Sequence, residues 1–252
     1  MSVARAALSP AISAEEYLRS HELDAVLLPP ADGVLPPDPE DLLRLHRLIR
    51  ARRAFSVLEF GVGYSTLVIA DALARNEADF TAAGAPCKAP ADAFRLSSVD
   101  TGAEWIALTE RRLPARLCDR VSFTYSAAHV GTVDGQLCHT YDTLPDIVPD
   151  FIYLDGPDSQ AVAGAVNGIG FAHPERTPLA ADLLLLEPSF VPGLMILVDG
   201  RVNNARFLRR NFRRDYAVLE DPQGRFTTFE LTEPPLGARN RQRLDWCLGA
   251  ER

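Results

Sequence analysis

The sequence predicts an α/β protein with a mostly parallel sheet covered by helices on both faces, and three observations predict it. Short apolar runs of strand length alternate with segments of helix length along most of the 252 residues, the pattern of a sheet buried on both sides. Four of these runs end in an acid or a glycine turn: VLEFGVGYS from 57, RLSSVD from 95, FIYLDG from 151 and MILVDG from 195. The last two runs are separated only by the turn residues DPQG at 221–224, which leaves no room for a helix and makes them an antiparallel hairpin.

The elements follow in order. Residues 14–23 have helical character, and 28–37 form a proline-rich link. A helix then starts at a well-marked signal: Asp38 can cap it, Pro39 suits its first position, and Glu40 and Asp41 suit its positive end. Leu42, Leu45, Leu48 and Ile49 recur at helical spacing, and Arg50, Arg52 and Arg53 close the negative end. Strands are expected at 56–60, 95–99, 121–125, 151–154, 194–198, 216–219 and 225–230, with helices at 65–75, 103–112, 178–187 and 204–212. Thr101 and Glu104 stand at capping-box spacing before the second of these helices. Two irregular stretches are long. Residues 81–93, rich in Ala, Gly and Pro, read as an exposed insertion, and residues 156–177 leave from the C-terminal end of a strand. That edge is where an open α/β sheet binds its ligand, and long loops there are often functional. The chain divides into an N-terminal extension, 1–37, partly helical, and a main domain, 38–252.

Composition sets limits. Apolar residues make up 47% and charged residues 24%, with a net charge of -8. An acidic surface is a poor match for a phosphate backbone, so no nucleic-acid partner is expected. The basic group Arg209, Arg210, Arg213 and Arg214 reads as a solvated helix face. Cys87, Cys118, Cys138 and Cys247 are scattered without a CxxC pair, which suits free thiols in a reducing compartment. The first residues carry no sustained apolar core of a signal peptide, and no apolar stretch is long enough to span a membrane. A cytoplasmic protein with no membrane partner is the expectation. Assembly, including a homo-oligomer, stays open.

The turn after the first strand narrows the ligand. It presents Glu59, Gly61, Gly63 and Ser65, and the glycines allow a tight turn and close approach of a ligand. A dinucleotide fingerprint would place a third glycine where Thr66 stands, and no lysine follows as in a phosphate loop. Glu59 is a poor neighbour for a pyrophosphate and a good one for a cation. Asp100, ending the second strand, can accept hydrogen bonds from both hydroxyls of a ribose. An acid near a cation and an acid for a ribose together suit S-adenosylmethionine.

LEFGVGYS, SVD and FIYLDG, in this order and each at a strand end, resemble the successive motifs of the class I S-adenosylmethionine-dependent methyltransferases, over residues 57–230. The resemblance implies a Rossmann-like seven-stranded sheet with an antiparallel C-terminal strand. It implies that Gly61 and Gly63 contact the methionine portion, Asp100 the ribose, and Glu59 the amino group through water, with Ser65 in the same turn. The family often carries an adenine-binding acid after the third strand; here Ser126 stands near that place and the next acid is Asp134.

Methyl transfer to a hydroxyl also needs a base or a metal. Asp155 and Asp199 end neighbouring strands, and Asn203 and Asn204 follow. Two carboxylates and an amide oxygen form a hard donor set suited to Mg²⁺, as in the cation-dependent catechol-type O-methyltransferases that this segment resembles, although Gly200 stands where those place the third ligand. Asp155 without a metal is a candidate base or positioning group, as is His173 in the long loop, with Asp158 a weaker alternative. His129, His139 and Tyr141 are candidates for lining the pocket, and Arg201 for steering an anionic acceptor. The reading is a methyltransferase acting on oxygen of a small-molecule or sugar-like acceptor. Its rivals are an NAD(P)-dependent oxidoreductase on a similar sheet and a non-catalytic cofactor-binding protein of the same fold.

Overall fold

The computed structural model describes residues 12–27 and 36–249. Most of the proline-rich link, at 28–35, lies outside the described residues, as do 1–11 and 250–252. In chain order the elements are α1 (Ala14–Ser20), α2 (Pro39–Ala51), β1 (Ser56–Phe60), α3 (Tyr64–Ala82), β2 (Arg95–Asp100), α4 (Ala103–Arg112), α5 (Ala115–Cys118), β3 (Val121–Tyr125), β4 (Ala128–Val133), β5 (Gln136–Tyr141), β6 (Phe151–Leu154), β7 (Val162–Ala163), α6 (Asp182–Leu186), β8 (Met195–Asp199), α7 (Val202–Asn211), β9 (Tyr216–Glu220), β10 (Phe226–Leu231) and α8 (Ala238–Leu248).

The seven predicted strands form one sheet in the order β3-β2-β1-β6-β8-β10-β9. β10 pairs antiparallel with both β8 and β9, and the remaining contacts are parallel. Strands buried on both faces place successive residues in opposite cores. Leu58, Phe60, Ile152, Leu154, Ile196 and Val198 pack on one side with α6 and α7 residues such as Leu183 and Leu208. Val57, Phe151, Tyr153, Met195 and Leu197 pack on the other against Leu45, Ile49, Ile69 and Leu73 of α2 and α3. The strand C-termini therefore share one edge, and the segments after β1, β2, β6 and β8 meet there.

Several expectations need correction. α3 runs to Ala82 instead of stopping at 75, because Asn76 is buried and donates to the carbonyls of Ile49 and Ala54 (3.2 and 2.9 Å), and Phe80 packs against Phe55 and Phe94. The capping box at Thr101 does not form. α4 starts after Gly102 with no side-chain cap, and the Gly102 N–H donates to Asp100 instead (2.7 Å). The helix expected at 178–187 shortens to α6, because the backbone before it pairs with β5: His139 donates to Leu179 and Ala181 to His139 (2.9 Å each). Not predicted at all are α8 and the β4–β5 hairpin, which joins β7 in a small second sheet. Asp134 and Gly135, both at positive φ, make its turn, the favoured chemistry for a two-residue hairpin loop. No helix among the described residues is long and apolar enough to cross a membrane.

α2 starts as the sequence directs, with the Asp38 side chain accepting from the Glu40 N–H (2.9 Å). α1 is fastened to it by Leu18, Leu23 and Val26, which share a core cluster with Leu42, and by a buried polar chain. The Tyr17 hydroxyl meets His46 Nδ1 (2.8 Å), His46 Nε2 meets Asp71 (3.2 Å), and Asp71 pairs with Arg75 and Arg116 (2.6 and 2.9 Å). Burial lowers the pKa of His46 to about 4, so the ring is neutral. The network assigns its proton to Nε2, facing Asp71, and leaves Nδ1 to accept from Tyr17.

The unfolded chain binds a proton at His46 more readily than the folded one, so stability falls as pH drops from about 6.5 towards 4. Urea unfolding should show wild type losing on the order of 2–3 kcal/mol more than His46→Gln across that interval. Equal losses would show that His46 is not held neutral.

Candidate functional site

A cleft of about 650 Å³ opens at the C-terminal edge, lined by the glycine turn after β1, the start of α4, the ends of β6 and β8, and the N-terminal end of α2. Its floor is the turn. Gly61, at φ +97, donates its N–H to Val99 (3.0 Å), and the Val62 N–H donates to Asp100 Oδ2 (2.7 Å). A Cβ on Gly156 would stand 2.6 Å from the Gly61 nitrogen, so the two backbones touch with no space for a side chain. A Cβ on Gly63 would meet nothing within 4 Å, and its φ of 176 is open to any residue.

Glu59 lies under this floor, with none of its surface exposed, and it does not line the cleft. It accepts from Ser65 Oγ (2.6 Å), Thr66 Oγ1 (2.8 Å) and Ser98 Oγ (2.6 Å). Burial pushes its pKa up to about 7 against the pull of these three hydroxyls. Thr66 Oγ1 also accepts from the Gly63 N–H (3.1 Å), so the carboxylate is wired to the turn through a hydroxyl.

Gly61, Gly63, Ser65, Asp100, Asp155 and Asp199 all line the cleft. Asp100 accepts one backbone N–H on each oxygen, from Val62 and Gly102, which leaves each oxygen a further lone pair. Burial raises its pKa. The Asp155 side chain is half exposed, and Arg201 Nε stands 3.4 Å from its Oδ1. Asp199 accepts from the Tyr153 hydroxyl (2.7 Å) and lies 3.6 Å from Arg44. Burial raises the pKa of both acids, Arg201 opposes the shift at Asp155, and Asp155 adds to it at Asp199.

Three other candidates lie outside the cleft wall. Ser126 is buried behind it, its N–H donating to the Asp100 carbonyl and its Oγ accepting from Thr143 (2.9 Å each). His173 sits in the outer loop, with Nδ1 accepting from the Glu175 N–H (3.1 Å). Asn203 is exposed on α7 and does not line the cleft with Asp155 and Asp199. Among the described residues no group of three or more His, Cys, Asp and Glu side chains converges as a metal site. Asp155 and Asp199 line the cleft without Asn203, so the three-residue donor set expected for Mg²⁺ is not brought together.

The sequence missed other wall residues. Trp105 is 39% exposed and lines the cleft beside Asp100 and Gly102. Tyr64 lines it too, with the Arg112 guanidinium over its ring (4.8 Å). Asp41 comes from α2, its pKa raised to about 6 by burial and by Asp199.

No protein-family model matches the sequence, and no curated protein matches it. Solved structures do. The S-adenosylhomocysteine-bound methyltransferase PaMTH1 of Podospora anserina aligns over 92% of this chain and 89% of its own, at 12% identity and a TM-score of 0.50. The O-methyltransferase TomG of Streptomyces achromogenes, solved with S-adenosylmethionine, aligns over 90% of each chain at 19% identity and a TM-score of 0.43. An O-methyltransferase of Bacillus cereus, bound to S-adenosylhomocysteine, covers 89% of this chain and 92% of its own at 16% identity and a TM-score of 0.43. At such identities a likeness establishes the fold alone, and the Podospora match establishes that the fold is one found in methyltransferases.

The two glycine environments make opposite predictions. Gly156→Ala drives a methyl group into backbone, and overpacking of this kind costs roughly 1–3 kcal/mol. Its melting temperature should fall by roughly 3–10 °C for a chain of this size. Gly63→Ala should melt within about 1 °C of wild type and show its defect only in ligand binding. Equal losses in both variants by calorimetry would contradict the contact geometry.

Proposed function

We propose that this protein is an S-adenosylmethionine-dependent methyltransferase acting on oxygen of a small-molecule acceptor. The observation that carries the reading is a cleft floored by the Gly61–Gly63 turn and flanked by Asp100, at the sheet edge where such folds bind ligands. Its volume lies within the roughly 300–1,000 Å³ usual for small-ligand sites.

When bound, S-adenosylmethionine supplies a methyl group on a sulfonium, which an acceptor oxygen displaces in line with the carbon–sulfur bond. Gly63 leaves open space over the turn for the methionine portion. Asp100, with its free lone pairs directed by two backbone donors, takes the ribose hydroxyls. Trp105 offers a flat apolar face beside Asp100 for the adenine. Glu59 acts from below, holding the turn through Ser65 and Thr66 and adding negative charge under the site of the ammonium. Asp155 lines the cleft as a half-exposed carboxylate, placed to receive the acceptor's hydroxyl proton. Most of the remaining acceleration comes from positioning.

Calorimetric titration with S-adenosylhomocysteine tests the cofactor reading. Wild type should bind in the micromolar range, and Asp100→Ala should lose at least about tenfold in affinity, equivalent to about 1.4 kcal/mol. The chain has two tryptophans. Trp246 packs on Phe80 under the Arg53 guanidinium, so a fluorescence change on binding should vanish in Trp105→Phe and persist in Trp246→Phe. Absence of binding by the wild type would refute the proposal.

A further inference from the structure

We infer that Arg44 and Arg201 supply the positive charge at the paired strand-end carboxylates, so that the cleft carries its own counter-ions and takes up no divalent cation. Asp155 follows β6, Asp199 ends β8, and the two strands are parallel neighbours in register. Two carboxylates at one partly dry edge repel each other and need positive charge nearby. A divalent cation is one source. The side chains present provide another.

Arg201 precedes α7 and reaches back across the gap between the strands. Its Nε stands 3.4 Å from Asp155 Oδ1. One terminal nitrogen donates to the Asp155 carbonyl and the other to the Pro157 carbonyl (3.0 Å). Four fifths of the side chain is covered, and its three contacts fix the plane of the guanidinium. Arg44 comes from the opposite side. It is 93% buried, pairs with Asp41, lies over the Phe226 ring at 4.5 Å, and places Nη1 3.6 Å from Asp199 Oδ1. Asp155 thus faces Arg201, while Asp199 shares Arg44 with Asp41, and the two guanidiniums come from different helix segments.

A small divalent cation would need these oxygens within about 2.1 Å and several more oxygen ligands around it. Next to the two acids stands Gly200, which has no side chain to give, Asn203 does not line the cleft, and Asp41, the third carboxylate near them, is paired with Arg44. An arriving cation would also face two fixed positive groups. Arg201 is therefore a positioning residue. It holds the Asp155 backbone and carboxylate, whereas Arg44 acts on Asp199 by charge alone, at Oδ1, and the Tyr153 hydroxyl bonds Oδ2.

The test uses Mn²⁺ as a paramagnetic probe, titrated into the full chain and followed by electron paramagnetic resonance of the free ion. Wild type should leave the free-ion signal at its protein-free intensity. Arg44→Met/Arg201→Met should lower it in proportion to protein, and adding Asp199→Asn should restore it. If the double variant fails to melt cooperatively, Arg201→Gln alone takes its place. Uptake by wild type that Asp199→Asn abolishes would overturn the inference. So would folded arginine variants that take up none, since the guanidiniums would then not be what keeps the cation out. S-adenosylhomocysteine binding measured on the same samples reports separately on the proposed function, which this inference does not need.

Discussion

The fold's functional edge depends on one buried carboxylate. Glu59 sits at a core position of β1, where an ionisable group without partners would be costly. It is retained by three hydroxyls from two elements: Ser98 from β2, and Ser65 and Thr66 from the first turn of α3. A single side chain thereby sets the distance between two strands and the helix that follows the first. Burial pushes its pKa up to about 7, and the three hydroxyls oppose that shift by favouring the charged form. Asp100 ties the turn a second time, from the side, through Val62 and Gly102. The turn is therefore held by side chains below and beside it, while its upper surface stays free.

α2 connects this edge to the rest of the molecule. Its first turn borders the cleft through Asp38 and Asp41, and its middle reaches Asp199 through Arg44 and the α1 clamp through His46. Its end holds Asn76 through Arg50 and Glu230 through Arg52. One helix thus carries both a wall of the cleft and the anchor of the N-terminal segment. The division of the chain at residue 38, natural on composition, separates in sequence what packing joins.

The sheet was legible because its physics is local. Buried strands must be short and apolar, and each of the seven stood out between turns. The floor of the cleft was legible for the same reason: Gly61, Gly63, Asp100 and Asp155 follow strands directly, and parallel topology brings strand ends together. Residues whose place depends on packing were not. Trp105, Asp41 and Arg44 project from helices, and no local pattern says which face will meet the cleft. Ser126 and Asn203 misled because nearness to a strand end along the chain is not orientation towards the ligand edge. The end of α3 was hidden because Asn76 is polar in isolation, yet its amide is consumed by two carbonyls of neighbouring segments. The β4–β5 hairpin did carry a signal in Asp134 and Gly135, but its strands alternate too weakly to stand out beside it.

The contact between Gly61 and Gly156 makes the floor of the cleft independent of its walls. Two positions nearly a hundred residues apart in sequence share one space that admits no side chain, so a substitution at either one meets the backbone of the other. The walls around them come from separate segments, α2, α4 and the loop after β6, none of which must vary in step with another. The floor is thus fixed by backbone contact, while the walls are set by side chains that can be replaced without disturbing it.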